Sequence, residues 1–374
     1  MRNFEPFALE RLMSQWEHAV DYNMTSSGVC AMSASELIQD HSVMEEVLST
    51  KLEYPPTNGL PELRERIAAL YPGATPDNVL VTVGCIEANY AAVQTILAAG
   101  DEMVMMLPNY MQVWGLGQNF GLEVGAFHLD EQRGWALDVD ELNDAVSEAT
   151  KLIAVCNPNN PTGHVLSEAE MDAVVAAAER AGAWILADEI YSGAERLTDQ
   201  QTPSFWGRYD KVLASNSLSK AYGLPGLRIG WVVAPVDTVD LIWARHDYLT
   251  ISVGMLAGKL AAAALSPEVR PRLLSRGRAC VQRGFQIVEG WISEYEDTFS
   301  VVPPHAGAIC FAKHNLGMDS REFVDRLIRE KSVLLVPGDT FGFDGHLRIG
   351  FGMEPDFLRS ALDRVGQVVE ELRS

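Results

Sequence analysis

Ser217-Leu218-Ser219-Lys220-Ala221-Tyr222-Gly223-Leu224-Pro225-Gly226-Leu227-Arg228-Ile229-Gly230-Trp231 sets one lysine in a small, hydroxyl-rich turn. Two glycines and a proline follow, with an arginine eight residues beyond the lysine. A lysine amine serves chemistry when it forms a Schiff base, and small neighbours let a flat carbonyl compound approach it. The arginine supplies a planar fork that matches a phosphate. Taken alone, the same stretch also reads as a surface loop with a solvated lysine.

The flanks decide between these readings. Val212–Ser215 and Ile229–Val233 are short apolar runs with strand character, and similar runs recur upstream at Val79–Val83, Glu102–Met106, Leu152–Cys156 and Trp184–Ala187. Helical patterns such as Glu87–Ala98 separate them. Strands alternating with helices imply βαβ units, an α/β fold and a mostly parallel sheet. Ligands bind such sheets at the C-terminal ends of the strands. Downstream, Ala257–Glu294 reads as long-helical, followed by strands at Ile309–Ala312 and Leu334–Val336 and helices at Ser320–Glu330 and Glu354–Leu372. The expected division is a large domain over 40–256 and a smaller α+β domain made of 1–39 and 257–374. The second includes a helix around Leu9–Val20.

Several expected strand ends carry suitable groups. Thr82-Val83-Gly84-Cys85-Ile86-Glu87-Ala88 ends a strand and opens a helix, where free N–H groups attract anions. Asn157-Pro158-Asn159-Asn160-Pro161-Thr162-Gly163 is a stiff turn that presents amides at the sheet edge. In Asp188-Glu189-Ile190-Tyr191 the acid at a strand end needs a cation or a proton, although a helix N-cap is an equally simple role. Pro108-Asn109-Tyr110 offers an aromatic face. Leu347-Arg348-Ile349-Gly350 places an arginine between apolar neighbours, which calls for a bound anion or an internal salt bridge. Gly115-Leu116-Gly117-Gln118-Asn119-Phe120-Gly121 mimics a dinucleotide motif. Its third glycine is one position late and no strand of a βαβ unit is expected before it, so a nicotinamide site is rejected.

The 374 residues allow two subdomains, and 47% hydrophobic with 21% charged content describes a globular chain. A net charge of −22 argues against nucleic acid or an anionic membrane as partner. No run is long and apolar enough to span a bilayer, and Met1-Arg2-Asn3-Phe4-Glu5-Pro6 does not resemble a signal peptide. Five scattered cysteines point to reduced thiols in a cytoplasmic compartment, and neither they nor the histidines show metal-ligand spacing.

Together these segments resemble the class I/II aminotransferases, fold-type I pyridoxal-phosphate-dependent enzymes, in order from about Tyr54 to Gly350. The resemblance implies a Schiff base between Lys220 and pyridoxal 5'-phosphate, with Asp188 on the pyridine nitrogen. It implies that Tyr191 and Asn160 hold the ring oxygen and that Tyr110 stacks on the ring. Cys85, Ile86, Ser217, Ser219 and Arg228 would hold the phosphate. Arg348, with Gly28 and Asn160 alongside, would bind the substrate carboxylate. Tyr54, in Tyr-Pro-Pro-Thr-Asn-Gly-Leu, resembles the segment that reaches the partner subunit's phosphate, which implies a homodimer with shared sites; Asp247–Ser252 is expected near that boundary. Two departures stand out: Cys85 and Ile86 replace the small or hydroxyl residues usual at the phosphate turn, and no arginine occupies Ile251–Gly254, where dicarboxylate-specific members place one.

The implied reaction exchanges an amino group between an L-amino acid and a 2-oxo acid. Ser26-Ser27-Gly28-Val29 and the Lys220 and Asp247–Ser252 segments also resemble capreomycidine synthase, which acts on a hydroxylated arginine. A lyase or cyclase, including a C–S lyase, is therefore the alternative. Glu17, beside Trp16, is then a carboxylate for a guanidinium or simply an exposed helix acid. A non-catalytic ligand-binding relative is the third reading.

Overall fold

A computed structural model describes residues 4–373. Its strands, in chain order, are β1 (Tyr22–Asn23), β2 (Val79–Thr82), β3 (Glu102–Leu107), β4 (Glu123–Asp130), β5 (Ala136–Leu137), β6 (Thr150–Cys156) and β7 (Trp184–Asp188). They continue with β8 (Val212–Ser217), β9 (Gly230–Val233), β10 (Phe299–Val301), β11 (Ile309–His314), β12 (Val333–Leu334), β13 (Val336–Pro337) and β14 (His346–Gly350). Eight of them form one sheet in the order β2-β9-β8-β7-β6-β3-β4-β5. The run β8-β7-β6-β3-β4 is parallel. Strands β2 and β8 and the central residues of β6 are buried, as apolar strands covered by helices on both faces must be.

The last strand of the expected series departs from the parallel pattern. Strand β9 runs antiparallel to both β8 and β2, so the chain returns directly after the Lys220 turn without a crossover helix. Strand β2 consequently points the same way as β8. The ends of β2, β3, β6, β7 and β8 therefore share one edge of the sheet.

Other boundaries also move. The helix expected at Glu87 begins at Cys85, and the N-terminal helix spans Ala8–Trp16, not Leu9–Val20. From Glu17 the chain turns, with the Ala19 N–H donating to the Trp16 carbonyl, so that Tyr22 and Asn23 pair with Val333 and Leu334. The expected strand Leu334–Val336 is split because β12 serves β1 whereas β13 pairs with β14. The long helical tract divides into Met255–Ala264 and Arg270–Glu294 around Ser266 and Pro267. The Gly115–Gly121 run does follow a strand: it lies on the helix Gln112–Phe120, between the parallel β3 and β4. There Gly117 leaves room for Val124 and Met103, so these glycines serve helix–sheet packing.

Strands β10, β11, β14 and β13 form a separate antiparallel sheet that carries Arg348. Among the described residues no helix is long and apolar enough to cross a membrane.

Candidate active site

A cavity of about 430 Å³ opens where the parallel strand ends meet β14 and the N-terminal helix. It is lined by Lys220, Asp188, Tyr191, Tyr110, Asn160, Cys85, Ile86, Ser219, Arg228 and Arg348. These residues are spread over more than 260 positions of sequence, and the sheet edge gathers them.

At one end, Gly84 precedes the helix that Cys85 opens and adopts φ +80°. A β-carbon there would strike the Arg228 guanidinium, so glycine lets the arginine lie across the helix start. Arg228 itself has φ +53° and donates to the Pro225 carbonyl at 2.9 Å. A positive fork beside open helix amides is an arrangement that attracts dianions such as phosphate. The departure at Cys85 and Ile86 costs this site only side-chain donors.

Asp188 ends β7 and is held from three sides. Asn89 Nδ2 donates to its Oδ2 at 3.1 Å, the Ile190 N–H to its Oδ1 at 3.2 Å, and Cys85 Sγ lies 3.6 Å from Oδ1. Burial pushes its carboxyl up, opposed by these bonds and by the charge of Lys220. A partly buried acid so placed suits a protonated ring nitrogen as partner. Asn89 is the residue that sequence reading missed. It stands one helical turn past Cys85, on the same face, and its Oδ1 accepts from Ser215 Oγ at 2.6 Å.

Lys220 is partly exposed to the cavity, and burial first, then the neighbouring Arg348, lowers its amine to about 8. The Gly28 backbone packs against it: a β-carbon on Gly28 would stand 3.2 Å from Lys220 Cα and 3.0 Å from the Ser219 carbonyl oxygen. Arg348 donates to Asn160 Oδ1 at 3.0 Å and to the Thr25 carbonyl at 2.7 Å, and its buried Nε has no partner among the described residues. Because Asn160 accepts through its oxygen, its NH₂ remains free to donate. Tyr191 donates to Ser27 Oγ at 3.0 Å, and burial pushes its phenol up. Tyr110 donates to Glu10 at 2.6 Å.

Three expected residues do not line the cavity, the first being Gly28, which packs behind Lys220. Ser217 does not line the cavity; its buried hydroxyl accepts from the Ser219 N–H at 3.0 Å and shapes the turn before Lys220. Tyr54 is 84% exposed, outside the cavity of its own chain. Thr250, within the Asp247–Ser252 segment, donates to Glu87 at 2.8 Å, and the same glutamate accepts from the Val83 N–H. Glu17 does line the cavity, as does Glu10, which no motif announced.

The family model described as aminotransferase class I and II matches residues 26–365. Capreomycidine synthase of Streptomyces vinaceus is 30% identical over 320 residues, 83% of this chain and 79% of the relative. An aspartate aminotransferase of Streptomyces avermitilis is 29% identical over 343 residues, 86% of this chain and 82% of the relative. The crystal structure of a PLP-dependent aminotransferase from Streptococcus suis superposes with a TM-score of 0.93 at 30% identity, covering 100% of this chain and 99% of the other.

Proposed function

The chain belongs to the class I and II aminotransferase family and uses pyridoxal 5'-phosphate, and from that premise we propose that it exchanges an amino group between an L-amino acid and a 2-oxo acid. The observation that carries this reading is a largely enclosed lysine sharing one cavity with a largely enclosed acid and two arginines. These groups fit the cofactor. Arg228 and the helix start suit its phosphate, Asp188 its ring nitrogen, and the free Asn160 NH₂ its ring oxygen.

When bound, pyridoxal phosphate supplies a carbonyl for Schiff-base formation and a ring that accepts electrons from Cα. Lys220, with its amine lowered to about 8, is neutral often enough near that pH to attack a carbonyl and then to carry a proton at substrate Cα. Asp188 holds the proton on the ring nitrogen, with its own position fixed by Asn89 and the Ile190 N–H. Arg348, whose Nε is unpartnered, grips the α-carboxylate and so aligns Cα toward Lys220. Tyr110 covers one side of the ring site.

A homodimer is part of this proposal. Leu48, Leu52, Tyr54, Tyr248, Leu249 and Ile251 are exposed apolar side chains, and Trp243 Nε1 donates to Thr57 Oγ1 at 2.9 Å, which ties the two stretches that bear them. An apolar surface of that kind suits a second copy. All five cysteines are unpaired, which supports a reducing cytoplasm.

A second reading, ring closure or elimination on a cofactor-bound amino acid, draws on the capreomycidine synthase relative. One experiment separates the two. Amino donor and 2-oxo acid are mixed with the enzyme and both products are quantified. Transfer predicts a new amino acid and a new 2-oxo acid in equal amounts; ammonia or a cyclised product without an acceptor supports the second reading. Lys220→Ala is expected to lose turnover by about 10²–10⁴-fold.

A further inference from the structure

Once phosphate, ring and α-carboxylate have their partners, two charged side chains of the cavity remain unused, Glu10 and Glu17. Glu10, Met13 and Glu17 recur at helical spacing and all line the cavity, while Leu9 and Leu12 anchor the N-terminal helix in the core. The backbone positions of the two acids lie about 10 Å apart along the helix axis, on the side that lines the cavity. Glu10 Oε1 accepts from the Tyr110 hydroxyl at 2.6 Å, which fixes its rotamer. The charge of Glu10 acts on both Lys220 and Arg348, the groups assigned to the reacting end of the amino acid. Glu17 lies 3.4 Å from Nε2 of the exposed His18. Neither acid is ion-paired with a lysine or arginine among the described residues.

The balance of charge selects a ligand class. The only cations among the described lining residues are Lys220, Arg228 and Arg348, all engaged by the reading above. A substrate side chain ending in a carboxylate would meet two like charges and no fork. A neutral side chain would leave the acids as they are, whereas a cationic one is attracted by both and pairs with the one its length reaches.

We propose that Glu10 and Glu17 make the enzyme selective for amino acids whose side chain ends in an ammonium or guanidinium group. This rests on the reading of the cavity as the amino-acid site of a pyridoxal-phosphate enzyme. It holds whether the bound amino acid goes on to transfer, elimination or ring closure.

The test is a titration of the holoenzyme, following the change in cofactor absorbance as amino acid binds. L-Arginine is compared with its neutral near-isostere L-citrulline, L-lysine with L-norleucine, and both with L-glutamate. At least one cation is expected to bind about tenfold or more tightly than its neutral counterpart, the size of a charge-assisted hydrogen bond. Glu17→Gln, which breaks no contact to a buried group, is expected to lower that ratio, and Glu10→Gln with Glu17→Gln to abolish it. Glu17→Lys is expected to shift preference toward L-glutamate. Neutral amino acids or glutamate binding as tightly as cations would overturn the inference, as would an unchanged ratio in the double variant. Should wild type show no lysine-bound cofactor absorbance at all, the reading of the site itself fails, an outcome distinct from a visible band with no charge preference.

Discussion

Burial moves the titrations of Lys220 and Glu189 toward each other, the amine down to about 8 and the carboxyl up to about 7. Asp188 and Glu189 are adjacent in sequence but face different surroundings. Asp188 lines the cavity, whereas Glu189 accepts from Ser204 Oγ at 2.7 Å and from the Phe205 N–H at 2.9 Å. A carboxyl raised in the folded state favours folding in its protonated form. Its stabilising share is fully present below its ordinary value of 4.5 and is lost as pH rises through about 7. Glu189→Gln keeps an acceptor oxygen and removes the titration. Thermal unfolding of both proteins across pH is expected to show the variant gaining on wild type between about pH 4.5 and 7, by an amount of order 3 kcal/mol, and holding that gain above. A constant difference across this range would mean that Glu189 ionises freely.

At the scale of elements, the turn from β2 into the helix at Cys85 does the most for the site. Its position could be read from Thr82-Val83-Gly84, because glycine after an apolar run announces a change of direction. What fills the space above Gly84 could not, since Arg228 arrives from a turn 144 positions later. Gly84→Ala places a methyl against that guanidinium at a φ of +80°. The strain is expected to cost about 1–3 kcal/mol of stability. Displacement of Arg228 is expected to weaken pyridoxal phosphate binding by about tenfold or more, the size of a lost charge-assisted bond. Equilibrium release of the cofactor, followed by absorbance, measures it; unchanged affinity would mean that Arg228 does not hold the phosphate.

At the scale of the whole molecule, the exposed Tyr54 is expected to complete the phosphate site of a second copy. If so, Tyr54→Ala and Lys220→Ala are each defective alone, yet mixing and reassociating them regenerates one intact site in each mixed dimer and restores activity. Mixtures that stay inactive while sedimentation shows a mixed dimer would count against shared sites.

By itself the sequence determined the α/β alternation, the placing of Lys220 in a strand-end turn and the acid that ends β7, because each depends on short-range pattern: apolar runs, turn residues and a chemistry-bearing side chain beside them. It also placed a strand-to-helix turn at Gly84. Only the tertiary structure decided that β9 returns antiparallel, that Asn89 steadies Asp188, that Ser217 faces its own turn and that Glu10 enters the cavity. These follow from contacts between residues far apart in sequence, set by how sheets and helices pack, and no local spacing encodes which distant surface a side chain will meet.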